Sequence, residues 1–157
     1  MSKQTIVVES LCKSFSGLTA VDNLSFKVSE GEILGFLGPN GAGKSTTMKM
    51  LTGFLEPDAG RIDICGHDIV REPVKAKKII GYLPGGAPTY NEMTVHDFLH
   101  FIINVRCLDK AQARAGYESV VDKLKIEGVL NQSIETLSKG FKRRVGLAQA
   151  LIHDPKC

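Results

Sequence analysis

One run constrains this chain more than any other: Gly38-Pro39-Asn40-Gly41-Ala42-Gly43-Lys44-Ser45-Thr46. Its spacing, Gly38-x4-Gly43-Lys44-Ser45, fits the phosphate-binding loop pattern. Phosphate oxygens need several donors converging on one point, and backbone N–H groups converge only where the chain curls tightly. Glycines at 38, 41 and 43 permit that curl and the close approach. The apolar run from Glu32 to Gly38 (EILGFLG) reads as a buried-type strand entering the loop. KSTTMKMLTGFL reads as a helix leaving it, with Met48, Leu51 and Leu55 on one face. Strand, loop and helix thus come in the order phosphate binding requires, with the positive end of the helix aimed at the anion. Lys44 adds a full charge near the β and γ phosphates. The Ser45 hydroxyl is a ligand suited to Mg2+, and Thr46 supports the loop. Asn40 lies within the same cradle.

The rest of the composition narrows the setting. The chain has 157 residues, 43% of them apolar and 24% charged, enough for one packed domain. A net charge of +3 is too mild to argue for nucleic acid or an anionic membrane. No apolar run approaches the ~20 residues that span a bilayer, and MSKQTIVVES has no signal-peptide core. Cys12, Cys65, Cys107 and Cys157 are dispersed, with no C-x-x-C pattern. That distribution fits reduced cytosolic thiols rather than a disulfide frame or a zinc site.

Along the chain, TIVVE is β-branched and VDNLSFKV alternates apolar with polar, so residues from Thr5 to about Val28 predict short strands. Pro57-Asp58-Ala59-Gly60 is a turn, RIDICG a short strand, and a helix is expected from near Pro73. Ile79–Pro84 (IIGYLP) reads as a second apolar strand and GGAPTY as a loop. From Thr94, an N-cap with Asp97 as its weak capping-box partner, the period becomes helical. Phe98, Leu99, Ile102 and Val105 form one apolar face. A helix near Ala111–Lys125 carries Tyr117, Val120, Val121 and Leu124. A last helix after Ser138 carries Phe141, Val145, Ala148 and Ile152 and stops before Pro155.

With these motifs in order, the sequence resembles the ATP-binding subunit of an ABC transporter, of single-domain exporter-like type. GPNGAGKST is that family's wording of the loop. LCKSFSGLTAVDNLSFKVSEGEILGFLG resembles its opening β-subdomain, and IIGYLP the strand before its Q-loop. TVHDFLHF resembles the start of its helical subdomain, and LSKGFKRRVGLAQALIHDP its signature segment and helix. The resemblance implies an α/β fold: a P-loop NTPase core of ABC type with an N-terminal antiparallel β-subdomain and a helical insert. The matching segments divide into residues 1–87 (β-subdomain and P-loop core), 88–136 (helical subdomain) and 137–157 (signature segment and helix).

The resemblance also implies roles. Phe15, which read alone is a core or edge aromatic, stands where a ring stacks on adenine. Ser138 and Gly140 stand in the signature that caps the γ-phosphate of a partner's ATP in a head-to-tail dimer; read alone, Ser138 is an N-cap. Gly38, Asn40, Gly41, Gly43, Lys44, Ser45 and Thr46 hold ATP, with Ser45 on Mg2+. The implied partners are membrane-spanning subunits and a second nucleotide-binding domain, with no nucleic acid. The implied place is cytoplasmic, at the inner face of the membrane, and the activity is ATP hydrolysis coupled to transport.

The sequence departs from the family wording at three places. The signature reads Leu137-Ser138-Lys139-Gly140-Phe141 where Leu-Ser-Gly-Gly-Gln is commoner, with Lys139 expected in solvent and Phe141 packing inward. Gly85 stands where the family has Gln or Glu, and a glycine offers no side chain to Mg2+ or the attacking water. After His153-Asp154-Pro155-Lys156 the family continues with a strand ending in an acidic pair, whereas this sequence stops at Cys157. The expectation is therefore a domain truncated before that strand, its C-terminal core strands and catalytic carboxylate missing and Ile33–Leu37 left without a neighbour. As the ATP-binding subunit of a transporter, such a chain binds Mg-ATP but lacks the carboxylate that activates water. The alternative reading is a non-hydrolysing nucleotide-binding fragment or remnant. Asp154 reads as a turn residue, and His96 and His153 as surface or packing histidines.

Overall fold

The two runs expected to be strands near the N-terminus pair as one long hairpin, β1 (Gln4–Phe15) with β2 (Leu18–Ser29). Its turn, Ser16 (φ 47°) and Gly17 (φ 84°), has both residues at positive φ, the type I′ pattern whose twist matches the strands it joins. On its other edge β1 pairs with β3 (Ala59–Ile64), which turns back through Cys65 and Gly66 into the short β4 (His67–Asp68). The result is an antiparallel four-stranded sheet of order β2-β1-β3-β4. The buried side carries Val8, Leu11, Val21, Val28, Ile62 and Ile64, and register shifts between Val8 and Leu11 and between Leu11 and Lys13 interrupt the period-2 alternation of the hairpin. Helices α1 (Lys44–Leu51) and α2 (Pro73–Lys78) add Met50, Leu51 and Ala76 to the buried set. At about 1.5–3 kcal/mol per fully buried aliphatic side chain, this burial is the main favourable term.

The structure, a computed structural model, describes residues 3–85, 90 and 92–157. Part of the expected GGAPTY loop and the boundary expected at 87/88 fall outside the described residues. The chain divides into two units: the sheet with its helices, running to Ile80 and including Lys156–Cys157, and a helical unit, Gly81–Pro155.

In the helical unit, α3 (Val95–Val105), α4 (Lys110–Leu124) and α5 (Lys139–Leu151) are joined through two 3₁₀ turns, Glu127–Val129 and Ile134–Thr136. Phe98, Leu99, Ile103, Val120, Ile126, Val145, Ala148 and Ile152 lie in one buried cluster. Each helix start has its own side-chain cap. Thr94 accepts from the Asp97 N–H, Asp109 forms a full capping box with Gln112, and Ser138 accepts from the Phe141 N–H.

Four expectations need correction. Ile33–Leu37 is not a strand: the segment is irregular, with Ile33 97% and Leu37 96% exposed. Extended chain becomes a strand only when a neighbour completes its hydrogen-bond ladder, and among the described residues nothing pairs with it. Phe36, edge-on to Phe26 at 5.2 Å, is its one half-buried member. Ile79–Pro84 is irregular as well, and its Ile79 carbonyl accepts from the N–H groups of Lys156 and Cys157. Helix α1 ends at Leu51, before Leu55 can join its face, and buries Thr47, Met50 and Leu51 while Met48 is exposed. In α3 the buried face is Val95, Phe98, Leu99 and Ile103, and Val105 is exposed.

Candidate nucleotide-phosphate site

The glycine-rich loop turns at Asn40–Gly41 and enters α1 through Gly43, the N-cap, in the left-handed conformation (φ 78°, ψ 0°). A Cβ on Gly43 would lie 2.2 Å from the Ala20 carbonyl oxygen of β2 and 3.2 Å from Val21 Cγ2. Only a glycine therefore lets the helix start rest against β2. Among the described residues no side chain caps α1. Its first turn closes with the Thr47 N–H donating to the Gly43 carbonyl at 2.8 Å, backed by the Thr47 hydroxyl on the same oxygen at 3.0 Å. The N–H groups of Lys44, Ser45 and Thr46 precede that first bond and point out of the helix end. The macrodipole makes that end positive, and no acidic residue in the first turn offsets it.

Lys44 lies across this end. Its Nζ donates to the carbonyls of Gly38 and Pro39, each at 2.6 Å. An ammonium has three donors, so the side chain straps the loop with two of them and keeps positive charge at its mouth. This donor set fits a polyphosphate: backbone N–H groups, a helix dipole and a cation converge, with Asn40, Gly41 and Ser45 exposed beside them. For a divalent cation the fit is partial. The exposed Ser45 hydroxyl is one hard oxygen ligand, and phosphate oxygens and water would have to complete an octahedral shell. Among the described residues no group of three His, Cys, Asp or Glu side chains is placed to hold a metal by itself.

Phe15 closes β1 opposite Leu18 of β2, and the strand that Gly43 rests on begins at Leu18. Ala20 is two residues along, roughly 7 Å at the rise of a strand, so one hairpin carries both the contact for the loop and the aromatic. The Phe15 ring is 46% exposed, with the Lys13 Nζ 5.6 Å over its centre.

Ser138 and Gly140 belong to the helical unit, at the start of α5. Both are exposed, and the Ser138 Oγ accepts from the Phe141 N–H at 3.3 Å. Lys139 is exposed, as expected. Phe141 packs on the buried cluster, with the Arg144 guanidinium 5.2 Å over its ring. Gly85 is exposed, and none of the described residues comes within 4 Å of the place of its missing side chain. Asp154, at φ 50°, closes the turn after α5 through its N–H to the Leu151 carbonyl. His96 is not alone: its Nδ1 is 2.8 Å from the Tyr117 hydroxyl and its ring 4.4 Å from that of His100. Partial burial pushes the Tyr117 phenol up.

Sequence reasoning missed the Lys13–Asp58 pair beside Phe15, at 2.6 Å. Residues 45 apart in the chain carry no local signal of meeting, and Asp58 was legible only as a turn residue.

Residues 21–157 match the family described as ABC transporter. The chain belongs to the ABC transporter family. It is 40% identical over 149 residues to the uncharacterized ABC transporter ATP-binding protein YxlF of Bacillus subtilis, covering 95% of this chain and 49% of that protein. It is 37% identical over 155 residues to the lipopolysaccharide export system ATP-binding protein LptB of Escherichia coli, covering 97% and 64%. A solved structure described as the ATP binding subunit of an ABC transporter superposes with a TM-score of 0.86 at 27% identity, covering 96% of this chain and 63% of that one. The chain thus spans about half to two thirds of the lengths of these ABC proteins. Its fold is that of the ABC ATPase nucleotide-binding domain, α/β with an antiparallel β-subdomain.

Proposed function

We propose that this ABC-family chain binds Mg-ATP, with its triphosphate on the start of α1 and Lys44, as part of the ATP-binding subunit of a membrane transporter. The observation that carries the reading is a helix start with no cap and no acid, strapped by a lysine. Lys44 neutralises the β and γ phosphates, the N–H groups of Lys44, Ser45 and Thr46 orient them, and Gly38, Asn40, Gly41 and Gly43 let the backbone approach. Ser45 ligates Mg2+, and Phe15 takes the adenine ring. When bound, Mg-ATP supplies the phosphoanhydride whose cleavage such subunits couple to transport.

Ser138 and Gly140 serve a second copy or a related domain, where the α5 start meets the γ-phosphate held by the other loop. Membrane-spanning subunits dock on the helical segment near 88–136, which places the protein at the cytoplasmic face of a membrane. LptB, named for an export system, supports export as the direction. Among the described residues no helix is long and apolar enough to cross a membrane. A second reading, nucleotide binding without turnover, is favoured by Gly85, which has no side chain to position metal or water. ATP binding and phosphate release, measured on the same sample of wild type and Lys44→Ala, test both. Binding that requires Lys44, with phosphate release, supports the ATPase. Such binding without release supports the second reading, and binding indifferent to Lys44 sinks both.

A further inference from the structure

Asp58 sits in the turn before β3, yet both its carboxylate oxygens reach β1. Oδ1 accepts from the Lys13 Nζ at 2.6 Å, Oδ2 accepts from the Ser14 N–H at 2.7 Å, and the Asp58 N–H donates to the Cys12 carbonyl at 3.0 Å. Three successive residues of β1, immediately before Phe15, are thereby tied to one aspartate. Lys13 and Phe15 are two apart and so share a face of the strand. The lysine side chain is only 15% exposed, and its ammonium stands 5.6 Å over the Phe15 ring. That is cation–π distance. The ammonium takes one side of the ring and leaves the rest of a 46% exposed aromatic for another group. It also draws on the ring's electron density, which favours stacking of an electron-rich base on the free side. The Lys13 ammonium, then the Ser14 N–H, hold the Asp58 carboxyl below the usual carboxylate range, so the clamp is charged at neutral pH.

We propose that Asp58 and Lys13 are positioning residues that set Phe15 as a one-sided platform for the base of a purine nucleotide. The inference rests on the reading of residues 38–46 and Phe15 as one nucleotide site. It assigns affinity for the base, as distinct from affinity for the phosphates, to a turn remote in sequence from both.

The test is calorimetric titration of the full chain with Mg-ATP and, separately, with Mg-tripolyphosphate, which has the phosphates and no base. Phe15→Ala is expected to weaken Mg-ATP about tenfold or more, within the range for loss of one stacked base, and to leave tripolyphosphate unchanged. Asp58→Asn and Lys13→Met are each expected to weaken Mg-ATP roughly three- to tenfold, part of that stacking effect, again sparing tripolyphosphate. If Phe15→Ala is selective and the other two leave Mg-ATP binding intact, the positioning role is overturned while the site stands. If either weakens both ligands equally, the residue is general scaffold and the proposal also fails. If Phe15→Ala has no effect on Mg-ATP, the stacking role itself is wrong. If wild type binds neither ligand, the nucleotide-site reading fails first.

Discussion

Helices α1 and α5 begin in opposite ways. At α5 a serine caps the helix, its Oγ taking the Phe141 N–H. At α1 the N-cap is a glycine at positive φ with no side chain to offer, and no acidic residue follows in the first turn. A cap of the Ser138 kind stabilises a helix by about 1 kcal/mol, so α5 stands with its end satisfied from within. The end of α1 keeps its donors and its partial positive charge for something else, and Lys44 adds to that charge instead of cancelling it. The same local element has been left self-sufficient in one place and dependent on an anion in the other.

The sharpest way to break this contrast is Gly43→Ala. The left-handed conformation costs a non-glycine residue about 1–2 kcal/mol, and the new Cβ would overlap the Ala20 carbonyl oxygen at 2.2 Å. The α1 start should lift from β2 and ATP binding should disappear by calorimetry; retained affinity would show that the contact with β2 does not shape the site. Next, Lys44→Ala should weaken Mg-ATP about 10- to 100-fold, the equivalent of the ~1.5–3 kcal/mol of a hydrogen bond to a charged group. Its thermal stability should change little, because the lysine lies on exposed loop carbonyls.

Ser138→Ala should behave in reverse. It should cost about 0.5–2 kcal/mol of helical-unit stability in denaturant and leave the Mg-ATP affinity of the monomeric chain unaltered. An affinity loss as large as that of Lys44→Ala would erase the distinction between the two helix starts.

The smallest effect concerns pH in the sheet unit. Glu72 is held below the usual carboxylate range first by the Lys75 ammonium and then by His67, and Asp58 by Lys13. Each carboxyl binds fewer protons folded than unfolded, so its contribution is present above the unfolded pKa, near 4, and is lost as pH falls through the folded one. Asp58 is exposed and Glu72 partly so, and the sheet unit should lose only slightly more stability than the Glu72→Gln, Asp58→Asn double variant on going from about pH 5 to pH 3. Parallel acid titrations of the two, followed by circular dichroism, check this.

Local patterns were legible where one segment contains its own reason. The capped start at Thr94, the face of α5 through Val145, Ala148 and Ile152, and the presence of strands near the N-terminus all appear as expected, although register shifts interrupt the alternation of those strands. Expectations failed where a partner decides. Ile33–Leu37 has the composition of a buried strand but no ladder among the described residues, so it stays irregular and exposed. Leu55 has helical spacing from Met48, but the chain turns at Thr52–Gly53 first. His96 is the packing histidine expected, but its partner Tyr117 lies on another helix and carries no local signal.

By itself the sequence determined the phosphate loop, its lysine and the family they belong to. Glycine spacing, a following helix and a cation are consecutive features, and their chemistry is written in order along the chain. Only the tertiary structure decided that Gly43 must be glycine because β2 lies against it, and that Asp58 reaches back to Lys13 and Ser14 beside Phe15. Both facts are distances between segments far apart in sequence, fixed by strand pairing and packing, which no local pattern encodes.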